Sequence, residues 1–174
     1  MNILITGGAG YIGSELIQYL LDDGHTVVAY DNLMYDPTSL LRYTNNPNFS
    51  FVKGDVRNLK LLKKYTDKAD IIIPLAALVG FPLCDKDVRG AHEINHEVNA
   101  WIAKNKSVDQ LVIYPCTNSG YGTSADGSVV TEESPLNPVS LYGRTKVAGE
   151  QEYRNVENHV TFRLATVFGP GSRM

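Results

Sequence analysis

TGGAGYIG, residues 6–13, follows a short apolar run, NILIT (2–6), and opens a segment whose apolar residues Ile12, Leu16, Ile17, Leu20 and Leu21 recur at helical spacing. Gly8, Gly10 and Gly13 satisfy GxGxxG, and Gly7, Gly10 and Gly13 satisfy GxxGxxG. The pattern gains meaning from its place between a strand and a helix. Glycines there allow a tight turn and let the backbone approach a pyrophosphate, while the helix N-terminus offers free amides and a positive dipole end to the anion. The expected start of the fold is therefore strand, phosphate-binding turn, helix, with Gly24 ending that helix.

Further apolar runs follow at HTVVAYD (25–31), FSFVKGD (49–55), DIIIPLAA (70–77), QLVIYPC (110–116) and VTFRLATVF (160–168). Helical stretches are expected between them, at about 57–66, 86–105 and 140–157. The strands read as continuous apolar runs rather than alternations, as expected where both sheet faces are covered. Strand and helix in regular turn predict an α/β protein: a Rossmann-type doubly wound parallel sheet of about six strands with helices on both faces. The stretch 32–48, NLMYDPTSLLRYTNNPN, is the least regular. No internal repeat or domain linker is evident, and one domain over 1–174 suits the length.

Composition excludes several classes. Net charge is −3 without a basic block, so nothing points to nucleic acid or an anionic membrane. The longest apolar run, Ile71 to Leu83, spans 13 residues broken by proline and glycine, too short for a bilayer. Cys84 and Cys116 are not in a CxxC spacing and read as small buried hydrophobes of a reduced protein. With Met1 leading straight into the first strand, a cytoplasmic protein is expected.

Asp31 ends the second strand, 18 residues after Gly13. A carboxylate there accepts hydrogen bonds from both adenosine ribose hydroxyls and repels a 2′-phosphate. Asn32 and Leu33 follow, with no arginine, which favours NAD over NADP. Farther on, SLYGRTKVAGE places Tyr142 and Lys146 four apart on one helical face. A tyrosine is a poor base at neutral pH, but a nearby ammonium stabilises its phenolate. Thr117, in PCTNSGYG after the fifth strand, is placed to hold a substrate hydroxyl beside that tyrosine.

With these pieces in order, the sequence resembles the extended short-chain dehydrogenase/reductases, in particular the NAD-dependent nucleotide-sugar epimerases and dehydratases. The matching segments are TGGAGYIG, YDNL, KGDVR, PLAA, EIN at 93–95, PCTNSGYG, PLNPVSLYGRTK and RLATVFGPG, spread over the whole chain. The resemblance implies that Gly7, Gly10, Tyr11, Ile12 and Gly13 hold the pyrophosphate and that Asp31, Asn32 and Leu33 surround the adenosine ribose. It implies that Asp55 and Val56 flank the adenine, that Leu75, Ala76 and Ala77 line the cofactor, and that Asn95 packs near it. Tyr142 becomes the base, Lys146 tunes it and holds the nicotinamide ribose, and Thr117 completes the catalytic set. Ala165, Val167 and Phe168 approach the nicotinamide, while Val79, Thr117, Asn118 and Ser119 face the substrate.

Two departures narrow the reading. Family dehydratases carry an acid two positions before the tyrosine of the YG pair; here Ser119 stands there, preceded by Asn118, which favours an epimerase or simple oxidoreductase over a dehydratase. The family also implies a smaller C-terminal domain that binds the nucleotide of a UDP-, TDP-, GDP- or CDP-linked sugar, and no second domain is expected within these residues. The implied chemistry is an epimerisation by transient oxidation. The alternatives are an NAD-binding module without turnover or one half of an enzyme completed by a separately encoded C-terminal half. A homodimer is expected through the helices at 86–105 and 140–157, whose Val98, Trp101, Ile102, Val147, Tyr153 and Val156 exceed one narrow apolar stripe.

HEINH (92–96) also matches the zinc signature HExxH, with Glu93 as the base. EVNAWIAK follows in place of a third-ligand extension, so a zinc hydrolase is the least favoured reading and no metal is expected. His25 and His159 begin strands and are expected to face solvent.

Overall fold

A computed structural model describes residues 1–123 and 129–169. Six parallel strands run in the order β3-β2-β1-β4-β5-β6. They are β1 (Asn2–Thr6), β2 (Thr26–Asp31), β3 (Phe49–Lys53), β4 (Ile71–Pro74), β5 (Leu111–Thr117) and β6 (His159–Leu164). The order reverses beside β1, so the carboxyl ends of β1 and β4 diverge there and leave a crevice, the usual place for a ligand in an open α/β sheet.

The strand period of two divides the core into halves. Ile3, Ile5, Val27, Ala29 and Ile73 face one side, covered by Ile17 and Leu21 of α1 (Tyr11–Asp22). Leu4, Tyr30, Ile72, Val112 and Tyr114 face the other, covered by α2 (Leu59–Thr66), α5 (Val98–Asn105) and α6 (Leu141–Tyr153). Asn58 and Ser140 cap α2 and α6 by accepting from Leu61 N and Gly143 N, a contribution of about 1 kcal/mol each.

Several expected bounds shift. The strand expected over 70–77 stops at Pro74, and β4 pairs with β5 only at Ile71 and Ile72. The strand expected to reach Phe168 stops at Leu164, leaving Ala165, Val167 and Phe168 exposed beyond the sheet. The helix expected over 86–105 is three segments: α4 (Val88–His92), a π-helical turn (Glu93–Glu97) and α5. Asp87 sets the break by capping Gly90 N, and a separate α3 (Phe81–Lys86) precedes it. The irregular 32–48 stretch contains a 3₁₀ turn, Leu41–Tyr43, and docks Leu40 and Tyr43 into the core, with Tyr43 Oη donating to Ser14 O at 2.5 Å. His25 and His159 are each partly buried, not fully solvent-facing.

The six residues expected to form a dimer face are largely spent within the protomer. Val98, Ile102, Val147 and Tyr153 are buried in the core, because α5 and α6 pack on each other and on the sheet; Trp101 and Val156 stay partly exposed. Both cysteines are buried free thiols. Among the described residues, no helix is long and apolar enough to cross a membrane.

Candidate active site

The first end of the cleft is built mainly of backbone. Gly7 adopts φ +72°, and a Cβ there would lie 2.5 Å from Ala76 N, so the turn after β1 and the chain after β4 touch as only glycine permits. A Cβ on Gly13 would meet Gly7 O at 2.7 Å, which holds α1 tightly over the loop. Gly10 caps α1 without a side chain, so the first-turn amides are directed to the cleft with no capping group in front of them. Asp31 ties the loops together: its Oδ2 accepts from Ala9 N at 3.1 Å and its Oδ1 from Leu33 N at 2.7 Å, the latter fixing Leu33 at φ +59°.

A cavity of about 890 Å³ opens on these groups. Of the expected residues it brings together Gly7, Gly10, Tyr11, Ile12 and Gly13 with Asp31 and Asn32. Asp55, Val56, Leu75, Ala76, Ala77 and Val79 form its other walls. Leu33 lies beside it rather than in its lining. Met34 to Pro37 line it too, as do Tyr30, Gly54, Leu78 and Ile94. Tyr30, Gly54 and Ile94 lie within the family segments YDNL, KGDVR and EIN without being singled out there, and Leu78 directly follows PLAA; for Met34 to Pro37 only the Asn- and Pro-rich composition of 32–48 hinted at a functional loop. A cradle of amides at a helix end, a carboxylate opposite and an apolar wall at Leu75–Ala77 fits the adenosine diphosphate half of a dinucleotide.

The second end is built of buried side chains. Tyr142 and Lys146 stand on one face of α6, and Thr117 ends β5 beside them. None of the three lines the 890 Å³ cavity; Tyr142 adjoins it, packed in the same cluster as Leu78. Asn95 connects the two ends: its Oδ1 accepts from Leu78 N at 2.9 Å, and its Nδ2 donates to Leu78 O at 3.0 Å and Thr145 Oγ1 at 3.2 Å. The residue expected to touch the cofactor thus lies fully buried behind Leu78, holding that wall to α6. The π-helical turn brings Asn95 O against Gly149, where a Cβ would lie 2.7 Å from it, and Asn99 Nδ2 donates to the same carbonyl at 3.0 Å.

The expected lowering of the Tyr142 pKa is not present in this state. Burial raises it, and a hydrogen bond with Thr117 offsets only part of that. The reason is the position of Lys146, whose Nζ lies 4.3 Å over the Tyr114 ring. The ammonium is itself pushed down to about 8 by burial, with Cys116 opposing. Asn118 and Ser119, both exposed, form a 3₁₀ turn with buried Gly120 and half-buried Tyr121, and neither supplies an acid. Tyr11 Oη donates to Gly169 O at 2.9 Å, so the segment after β6 crosses the glycine loop. Part of the expected GPG turn, Pro170 and Gly171, lies outside the described residues.

The zinc reading finds no support in the geometry. Glu93 is held by Arg57 and Arg89, and His96 Nε2 lies 2.8 Å from Glu152. Among the described residues no cluster of His, Cys, Asp or Glu is arranged to hold a metal.

Fold and cleft together define a dinucleotide-binding α/β domain with a tyrosine-lysine helix beside its second end. The chain belongs to the NAD dependent epimerase/dehydratase family, whose model matches residues 3–174. It is 33% identical to the UDP-glucose 4-epimerase of Mycolicibacterium smegmatis over 98% of this chain and 57% of that protein. Among solved structures, it resembles UDP-glucuronic acid 4-epimerase from Bacillus cereus in complex with UDP-glucuronic acid and NAD, with TM-score 0.86, 30% identity and coverage of 98% of this chain and 58% of that one. It also resembles the Bordetella bronchiseptica enzyme WbmG in complex with NAD and UDP, with TM-score 0.84, 30% identity and coverage of 97% and 54%. The chain thus spans between half and two thirds of the length of these relatives.

Proposed function

We propose that this chain holds NAD and the catalytic residues of a nucleotide-sugar epimerase that works by transient oxidation of a sugar hydroxyl. The observation that carries the reading is the junction at Asn95, which fixes the wall of a dinucleotide cleft to the helix bearing Tyr142 and Lys146. Bound cofactor supplies a hydride acceptor that is restored within each turnover. Thr117 holds the reacting hydroxyl, and Tyr142 takes its proton as hydride leaves the carbon, then returns it when hydride comes back to the other face. Burial favours the neutral phenol, so base action needs a cation: Lys146 must turn from the Tyr114 ring towards Tyr142. Turnover should therefore rise with pH only while Lys146, whose pKa burial pushes down to about 8, keeps its charge. Asn118 and Ser119, lacking an acid, favour epimerisation over dehydration.

Leu33, Asn95, Ala165, Val167 and Phe168 belong to the proposed site through the family pattern rather than through the cavity. The substrate is a nucleotide sugar, as bound by the Bacillus cereus relative. We place the protein in the cytoplasm, consistent with its two free thiols. A homodimer would rest on Trp101 and Val156, and light scattering that finds a monomer removes it. A second reading, an NAD-binding module without turnover of its own, is favoured by the absence of Thr117, Tyr142 and Lys146 from the lining of the cavity. The deciding experiment is NAD titration followed by NMR of UDP-, TDP-, GDP- and CDP-sugars with NAD present. Binding with turnover supports the enzyme, binding alone supports the module, and absence of NAD binding sinks both.

A further inference from the structure

Tyr142, Lys146 and Glu150 follow one another at intervals of four along α6 and so share a face. Lys146 and Glu150 carry opposite charges and are both buried, at 3% and 6% exposure. A carboxylate and an ammonium so spaced have Cβ atoms about 5–6 Å apart and are natural partners, and burial strengthens their attraction. Glu150 nevertheless forms its ion pair across the sheet edge with Arg163 of β6. Arg163 Nε lies 3.2 Å from each Glu150 oxygen, and Nη2 lies 2.6 Å from Oε1. The guanidinium is anchored from further sides: Nη1 donates to Tyr121 Oη at 3.1 Å and to Glu132 O at 2.9 Å, and it lies 5.2 Å over the Tyr121 ring.

We propose that Arg163 is a positioning residue for the reaction end: its anchored fork holds the Glu150 carboxylate towards β6 and keeps it from capturing the Lys146 ammonium one turn earlier on the same helix. The ammonium then stays available to the cleft. Its catalytic consequence rests on the reading of Lys146 as the partner of Tyr142; its test does not.

The groups around the pair leave few other candidates. From β5, Tyr114 and Cys116 face Lys146, and the Cys116 thiol also meets Glu150. Burial pushes that thiol up to about 12, so it stays neutral. From α3, Cys84 faces Tyr142. From the π-helical turn, His96 is engaged by Glu152, and Glu93 by Arg57 and Arg89. On α6 itself, Arg154 acts on Glu150 from farther away than Arg163. Burial would raise the Glu150 pKa, but Arg163 holds it below the usual range, so the carboxylate stays charged. Without Arg163, a buried anion would stand one turn from a buried cation.

The test is the titration of Lys146 by NMR of ¹³Cε-labelled lysine in the chain without cofactor or sugar, the resonance being assigned by its loss in Lys146→Met. Arg163→Met should raise the Lys146 midpoint by about one pH unit, since the freed carboxylate becomes its partner. Glu150→Gln, which breaks the same ion pair, should not raise it, and Arg163→Met/Glu150→Gln should restore the wild-type midpoint. A merely structural pair predicts that both single variants loosen the site alike and that the double variant stays raised. An unchanged midpoint in Arg163→Met, or an equal rise in Glu150→Gln, overturns the proposal. If Arg163→Met does not fold by circular dichroism, Arg163→Gln, which also removes the cation, carries the same comparison: a rise above Glu150→Gln supports the proposal and equal midpoints overturn it. Because these titrations need neither NAD nor turnover, they can fail while the epimerase reading stands, and the reverse.

Discussion

The two ends of the cleft hold their geometry by different means. At the glycine loop, backbone meets backbone: Gly7 against Ala76, Gly13 against Gly7, with Asp31 accepting two main-chain amides. At the reaction end, side chains meet side chains drawn from β5, β6, α6 and the π-helical turn. Backbone contact of the first kind tolerates no added atom but needs no particular charge. The second kind tolerates small changes of shape but depends on which groups are charged. Binding and chemistry should therefore separate under mutation.

The largest effect is expected at the reaction end. Tyr142→Phe should lower turnover by about 10²–10⁴-fold while NAD affinity in a titration stays nearly unchanged; a parallel loss of affinity would mean that the two ends are not separable. Gly7→Ala should do the reverse. A left-handed φ and a Cβ 2.5 Å from Ala76 N should cost about 2–4 kcal/mol of stability in denaturant unfolding and abolish NAD binding. Gly7→Ala with wild-type stability would show that the loop can move away.

Lys146→Met sharpens the comparison through pH. The Lys146 pKa of about 8 in the folded chain lies below the unfolded value, which is about 10.4. The unfolded state thus binds more protons between these limits, and wild-type stability should rise with pH across that window. Below it the full cost of a buried ammonium remains, so Lys146→Met should be the more stable chain there by about 1–3 kcal/mol in thermal unfolding. The advantage should fade as pH rises through about 10. No pH dependence in the difference would mean that Lys146 is solvated. The smallest effect is expected for Asp31→Asn, which keeps the shape but removes a charge. It should weaken NAD by about 5–10-fold, near 1 kcal/mol, and improve NADP relative to NAD in competition titrations.

The same contrast explains what the sequence disclosed. Backbone contacts demand glycine, and glycine at fixed spacing is legible, so the loop at 6–13, its place between a strand and a helix, and Asp31 at the end of the second strand could be read directly. Tyr142 and Lys146 were legible by helical spacing. Their electrostatics were not, because the position of the ammonium depends on Tyr114, a strand residue with no motif around it. Asn95 could be flagged only by family pattern, since a π-helical turn leaves no periodic trace that separates it from α-helix. Four of the six apolar residues expected at a dimer face, Val98, Ile102, Val147 and Tyr153, are buried within the chain for a similar reason: periodicity shows that a face is apolar, not whether its cover lies in the same chain. The Glu150–Arg163 pair joins residues 13 apart across two elements, and neither signals the other.

The strand order also sets a timetable for folding. β1 is made first yet lies in the middle of the sheet, between β2 and β4. During synthesis the β1, β2 and β3 layer can assemble early, leaving β1 with one open edge until the ribosome has released Ile71 to Pro74. The junction at Asn95, and with it the reaction end, can form only after α6 emerges. Non-local parallel pairing of this kind is slow, so for that interval the nascent chain carries an unpaired central strand and a glycine loop still without Ala76 against it, the state in which it is most open to misassembly.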